Sequence, residues 1–68
     1  MGNYKVYVGE IGNVQGHFVG TSESLLGAKQ IAGRELSDYA GAGWGRITND
    51  TTGERYSREG NYPWVGPF

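Results

Sequence analysis

The sequence predicts a small α+β domain in which one helix packs on one face of an antiparallel sheet, with the elements in the order β-β-α-β-β. Three observations predict this class: apolar and polar residues alternate near the N-terminus, the middle of the chain has the apolar spacing of a helix, and two strand-like segments flank a turn-rich stretch at residues 49–53. Four strands are expected, or five if the C-terminal residues add a short edge strand. A chain of 68 residues is expected to form a single domain, residues 1–68.

The first predicted strand covers NYKVYVGE at residues 3–10. Its side chains alternate with period two, as in a strand that is buried on one face only. The two sets are Tyr4, Val6 and Val8 on the buried face and Lys5 and Tyr7 on the other.

The hairpin partner of this strand is predicted in VQGHFVG at residues 14–20, after a turn at residues 10–13. Phe18 is the large apolar residue of the segment, so we expect it to point toward the core. His17 and Val19 would then point the other way, because neighbouring residues of a strand lie on opposite faces.

The next segment changes to a helical period. An amphipathic helix is predicted because its apolar residues fall in one stripe at 100° per residue. We expect Thr21 or Ser22 to be the N-cap, Glu23 to complement the first turn, and the glycines at 41 and 43 to end the helix. The stripe comprises Leu25, Ala28, Ala32, Leu36 and Tyr39, with Ile31 on its flank.

Two glycines, Gly27 and Gly33, interrupt the polar side of this helix. Each is expected to cost about 1 kcal/mol relative to alanine. Such a cost is explained only if the missing side chain lets another group approach closely.

A second hairpin is predicted from GWGRITND and GERYSREG, which flank the turn formers at residues 49–53. Ile47 and Tyr56 are expected to face the helix. Pro63 is compatible with an edge strand in the C-terminal NYPWVGPF but not with a central one. The residues expected to face away from the helix are Trp44, Arg46, Thr48, Arg55 and Ser57.

One helix can cover only one face of a four-stranded sheet, so the other face is expected to be open to solvent or to a partner. Aromatic and arginine side chains are enriched in binding hot spots, and they also stack on unpaired bases. The alternative is that the aromatic residues pack across strands and the arginines keep an exposed sheet soluble. The open face is predicted to carry Lys5, Tyr7, His17, Val19, Trp44, Arg46 and Arg55, and the predicted partner-binding residues are Lys5, Tyr7, Trp44, Arg46 and Arg55.

The sequence offers no catalytic set, so we expect the protein not to be an enzyme and to use no cofactor or metal. It has no cysteine and one histidine, His17, and no His/Cys/carboxylate spacing typical of a metal site. Six basic and seven acidic residues give a net charge of -1, which argues against a generally basic nucleic-acid coat. No apolar run is long enough to cross a membrane and no secretory signal is evident, so a soluble, cytoplasmic protein is expected.

The helix LLGAKQIAGREL, the following WGRITND and the terminal REGNYPW together resemble the small phage-encoded proteins that include CRISPR-Cas inhibitors. The order of elements is similar to that of a type I-F anti-CRISPR of similar length. This resemblance implies an inhibitor that binds the crRNA-guided surveillance complex in the cytoplasm of a bacterial host. It also implies a second candidate binding surface on the helix, at Lys29, Gln30 and Arg34.

Three functions therefore stay open at this point. The first is a non-enzymatic inhibitor, monomeric or homodimeric, that occludes a site on a host protein or Cas ribonucleoprotein. The second is a small module that binds single-stranded nucleic acid with the aromatic and basic sheet face. The third is a phage accessory or virion component.

Overall fold

The computed structural model describes residues 3–68 and shows an antiparallel sheet with one helix packed against it. The sheet has the strand order β2-β1-β3-β4, and every neighbouring pair is antiparallel. This confirms the predicted fold class and the order of the elements. The elements are β1 (Tyr4–Glu10), β2 (His17–Ser22), α1 (Leu25–Leu36), a 3-10 turn (Ser37–Tyr39), β3 (Gly43–Asn49) and β4 (Arg55–Glu59).

The core lies between α1 and the two central strands. Val6, Val8 and Ile47 have no exposed surface, as the alternation in β1 and β3 predicts. The buried helical residues are Ala28, Ala32 and Leu36, and the remaining members of the predicted stripe, Leu25, Ile31 and Tyr39, pack against this cluster. The helical stripe is therefore confirmed from Leu25 to Leu36. The predicted end of the helix at the glycines is wrong, because α1 ends at Leu36 and Tyr39 reaches the core from the 3-10 turn that follows.

Phe18 does not point into the core, so its predicted orientation is wrong. The register between β1 and β2 shifts between Val6 and Tyr7, so that Val6 pairs with Gly20 while Tyr7 pairs with Phe18. Directly paired residues share a face of the sheet, which places Phe18 beside Tyr7 and away from the helix. Phe18 is 54% exposed, and its ring meets the Tyr7 ring edge-on with 5.6 Å between centroids.

The same irregularity reverses the predicted orientations of His17 and Val19. Val19 packs against the core, and His17 pairs with Val8, which places it on the helix side by register. One extra residue in a strand exchanges the faces of the residues beyond it. A sequence pattern of period two does not reveal such a bulge.

The helix begins two to three residues later than predicted. Ser24 is the N-cap, and its side chain accepts a hydrogen bond from the Gly27 N–H at 3.0 Å. Thr21 and Ser22 still belong to β2, so they cannot cap the helix. Glu23 precedes the helix, whose first turn contains no acidic residue.

The two helical glycines differ in their surroundings. A Cβ at Gly27 would collide with Ser22 Oγ and lie 3.1 Å from Ser24 Oγ, so this glycine makes room for the cap. A Cβ at Gly33 would meet no heavy atom within 4 Å.

We therefore expect Gly33→Ala to raise the free energy of unfolding by about 0.5–1 kcal/mol, because alanine is the better helix former and has room. Gly27→Ala is expected to lower it, because the methyl group displaces the cap. Urea unfolding of both variants and of the unchanged protein measures the two free energies of unfolding. Loss of stability in Gly33→Ala would show that this position is not open.

The C-terminal segment covers the edge of the sheet at β4. Ser57 and Val65 exchange two backbone hydrogen bonds of 3.0 and 2.8 Å, and the Phe68 N–H donates to the Arg55 carbonyl at 2.9 Å. The predicted edge strand is thus reduced to an isolated bridge. Trp64 packs against the core and lies over Gly45, so the C-terminal segment contributes an aromatic side chain to the helix side of the sheet.

Within residues 3–68, no helix is both long and apolar enough to span a membrane.

Candidate functional site

The face of the sheet opposite the helix, called here the open face, carries all five predicted partner-binding residues. Strand pairing arranges its residues in three rows. These are Gly9, Trp44 and Glu59; then Phe18, Tyr7, Arg46 and Ser57; then Thr21, Lys5, Thr48 and Arg55. The alternative set, Lys29, Gln30 and Arg34, lies on α1, which packs on the other face.

Trp44 is held in a defined position on this face. Its indole lies over Gly9, the paired residue of β1, and over Gly16 in the β1–β2 connection, where a Cβ at either glycine would collide with the ring. Its Nε1–H donates to the backbone carbonyl of Asn13 at 2.9 Å. The indole is nevertheless only partly buried, so a rigid aromatic surface stays accessible.

Arg46 lies beside this indole, with its guanidinium carbon 5.2 Å from the ring centroid. This distance is typical of a cation–π contact, which orders the arginine without neutralising its charge. Arg46 is exposed. We call the surface formed by Trp44 and Arg46 the ridge.

Two grooves run along the sides of the ridge. Both contain exposed apolar side chains together with the carboxylate-bearing Glu59. One groove includes Ile11 and Val14, and the other includes Tyr62, Pro63 and Val65. The aromatic pair of Tyr7 and Phe18 extends the apolar surface on the β2 side.

The open face is less basic than the sequence predicts. Lys5 Nζ forms an ion pair with Asp50 Oδ2 at 3.0 Å, and this hydrogen bond, followed by the charge of Asp50, raises the pKa of Lys5 above its usual 10.5. Glu59 pairs with Trp44 in the register and adds a second acidic residue. The fold thus brings two carboxylates, those of Asp50 and Glu59, beside the aromatic and basic residues of the open face.

The turn that brings Asp50 to Lys5 is ordered by a buried amide. Asn49 is 7% exposed, and its Oδ1 accepts hydrogen bonds from the N–H groups of Thr51 at 2.8 Å and Thr52 at 3.2 Å. The backbone N–H of Asp50 donates to the Asn3 carbonyl at 2.8 Å. The position of Asp50 is therefore fixed by its own backbone hydrogen bond to Asn3 and by the side-chain hydrogen bonds of the preceding residue, Asn49.

The titration of Tyr56 reflects its place under the C-terminal segment. Partial burial raises the pKa of its phenol above the usual 10.0, and the charges of Glu54 and Tyr4 add to this effect. Tyr56 is on the helix side with Ile47, as predicted, so it belongs to the core and not to the open face.

The described residues contain no group of three or more His, Cys, Asp or Glu side chains that could hold a metal ion. The open face offers an aromatic surface on the ridge, apolar side chains in the grooves, and hydrogen-bond donors from arginine.

Sequence reasoning missed several residues of this site. The sequence predicts Phe18 in the core, and it predicts no surface contact for Val14, Tyr62 or Val65. The glycines at 9 and 16 are visible in the sequence, but their use as a support for an indole depends on strand pairing and loop geometry. The position of Trp44 on the open face could be predicted because it lies three residues from the core residue Ile47 in β3, and an odd separation places two strand residues on opposite faces.

The chain matches no protein-family model, no curated protein and no solved structure.

Proposed function

We propose that this chain is a non-enzymatic inhibitor that binds a larger partner through its open face and thereby occludes a functional surface of that partner. The observation that carries the proposal is the ridge: an indole fixed by packing on two glycines and by a hydrogen bond, with an exposed arginine against it. Preorganised tryptophan and arginine side chains lose little conformational freedom on binding, which favours high affinity.

The size of the chain supports the use of a whole face. Its accessible surface is 4372 Å², whereas a standard interface buries about 800 Å² of each partner, or roughly a fifth of that surface. The ridge, its two grooves and the Tyr7/Phe18 pair together form a continuous surface suited to this requirement. The partner that the sequence resemblance suggests is a crRNA-guided surveillance complex.

The experiment that tests the proposal is a titration of purified type I-F surveillance complex with the chain, with binding of target DNA by the complex as the readout. An inhibitor that acts by occlusion gives an end point set by molar ratio and independent of incubation time. Inhibition that grows with time at trace amounts of the chain would indicate a catalytic activity. No binding to the complex at micromolar concentrations would remove this partner.

A second candidate, binding of single-stranded nucleic acid, is favoured by Tyr7, Phe18 and Trp44, whose rings could stack on bases. The ion pair between Lys5 and Asp50 reduces the number of free cations available for phosphate contacts. Arg46 and Arg55 remain on the open face.

We expect any affinity for a single-stranded oligonucleotide to depend only weakly on salt. Two phosphate contacts, each with a slope of about −0.7 for single strands, give a slope of log K against log[salt] of about −1.4. The slope can be measured by fluorescence anisotropy with a labelled oligonucleotide, at salt concentrations from about 50 to about 200 mM. A much steeper slope would show that further basic residues contact phosphates and would favour the nucleic-acid function.

A further inference from the structure

Two residues of the described chain have no explanation within the fold, and both line the same cleft. Gly33 lies in the middle of α1, where its missing side chain leaves open space instead of admitting another group. Arg58 has a buried Nε that makes no hydrogen bond to any described residue. Buried polar groups of proteins are nearly always hydrogen-bonded, to protein, to ordered water or to a ligand, so the Nε–H of Arg58 is a donor open to one of the last two.

The cleft lies between the C-terminal half of α1 and the ends of β3 and β4. Its volume is about 420 Å³, which is in the range of pockets that bind small molecules. Arg58 is its only charged lining residue. The polar and glycine residues that surround it include Gly33, Ser37, Gly41, Gly60 and Asn61.

The position of Arg58 follows from the sheet. Arg58 pairs with Gly45, so its side chain leaves β4 on the helix side and reaches the cleft. The C-terminal residue of α1, Leu36, and its C-cap, Ser37, line the same cleft, and a helix C-terminus favours a cation. This accounts for a half-buried arginine, but no carboxylate of residues 3–68 forms an ion pair with it.

We propose that this cleft binds a carboxylate, supplied either by a small organic acid or by an aspartate or glutamate side chain of a partner. The guanidinium of Arg58 is the principal donor, because its planar fork matches the two oxygens of a carboxylate. The open space beside Gly33 is the room that the bound group occupies. The cleft lies on the helix side of the sheet, but Arg58 also lines the groove that includes Tyr62, Pro63 and Val65. Gly33 lines the cleft and not that groove, so a change at Gly33 tests the cleft separately from the open face.

The test is a titration of ¹⁵N-labelled protein with sodium acetate, at constant ionic strength maintained with chloride. Saturable shifts of the amide resonances of Gly33, Gly41 and Gly60 are expected, with a Kd on the order of 10 mM for this minimal probe. Arg58→Gln is expected to weaken binding at least tenfold. Arg46→Gln removes an arginine from the open face and serves as the matched control, with unchanged binding.

Gly33→Leu provides a second variant that does not rely on the arginine. Leucine is a good helix former, so the helix is retained, while its side chain fills the cleft. Loss of the acetate response with unchanged thermal unfolding supports the site. The proposed site is overturned if Gly33→Leu, or a folded Arg58→Gln, still responds fully to acetate. It is also overturned if the wild-type response is linear in acetate concentration and chloride reproduces it.

Two further probes distinguish the sources of the carboxylate. Tighter binding of N-acetyl-aspartate N-methylamide than of acetate supports a side chain of a partner protein. Binding of acetate but not of the larger probe supports a small organic acid. Stronger binding of inorganic phosphate than of either carboxylate overturns the proposed selectivity.

Discussion

Replacing Leu36 with alanine is expected to lower the free energy of unfolding by about 2–5 kcal/mol. Leu36 is 8% exposed and joins the helix to the central strands. Its methyl groups lie 2.8 Å and 3.3 Å from the positions that a Cβ would occupy at Gly43 and Gly45. Glycine offers no side chain to fill the space that truncation leaves. The Tyr39 and Trp64 side chains border that space, but they can enter it only by giving up packing that they already make against the core.

Leu26→Ala is the matched control for this prediction. Leu26 lies in the same helix, but it is 68% exposed. The same chemical change is therefore expected to alter stability by less than about 0.5 kcal/mol. Urea unfolding followed by circular dichroism measures both variants, and equal losses would contradict the assigned core. A domain of this length has a total stability of only about 3–10 kcal/mol, so substantial unfolding of Leu36→Ala at 25 °C agrees with the prediction.

If the proposed partner, a crRNA-guided surveillance complex, binds the open face, truncation of the ridge is expected to reduce the affinity by about thirtyfold or more, equivalent to about 2 kcal/mol. Arg46→Ala is the cleaner change, because Arg46 is exposed and its loss should leave thermal unfolding unchanged. Trp44→Ala also removes packing on Gly9 and Gly16 and the hydrogen bond to Asn13, so it is expected to lower stability as well as affinity. Trp44→Phe keeps an aromatic ring and separates the two effects.

The competing surface on the helix supplies the control for the ridge. Lys29→Ala and Arg34→Ala remove positive charge from the other side of the molecule, and both are expected to leave affinity within a factor of about two, a change below 0.5 kcal/mol. Isothermal titration calorimetry on variants with confirmed folding makes the comparison. If the helix pair abolishes binding while Arg46→Ala has no effect, the helix is the binding surface and the open face is not.

Much of the fold could be predicted from local patterns because those patterns record burial. The alternation in β1 identified Val6 and Val8, and the helical stripe identified Ala28, Ala32 and Leu36; all of these are buried. A residue that faces a core must be apolar whatever the details of packing, so periodicity predicts the face on which it lies. The same reasoning placed Trp44 and Arg46 together on the open face.

The predictions failed for side chains whose face or partner depends on a contact between segments that are distant in the sequence. The bulge opposite Val6 and Tyr7 exchanged the faces of Phe18 and Val19. Gly20, inside β2, is compatible with a bulge, but the period-two pattern does not show where the register shifts. Trp64 covers Gly45 because the C-terminal segment returns along β4. The sequence predicts Lys5 as a cation available to a partner. In the structure the turn after β3 places Asp50 Oδ2 3.0 Å from Lys5 Nζ.

The α+β class, the order of the elements, the helical stripe and the open position of Trp44 and Arg46 could be predicted from local patterns, since each depends on the period of residues close in the chain. The support of the Trp44 indole, the pairing of Lys5 with Asp50 and the cleft around Arg58 are visible only in the folded structure. Each of these joins residues from different elements. Their distances depend on strand register and on the path of the C-terminal segment, and neither quantity leaves a periodic signal in the chain.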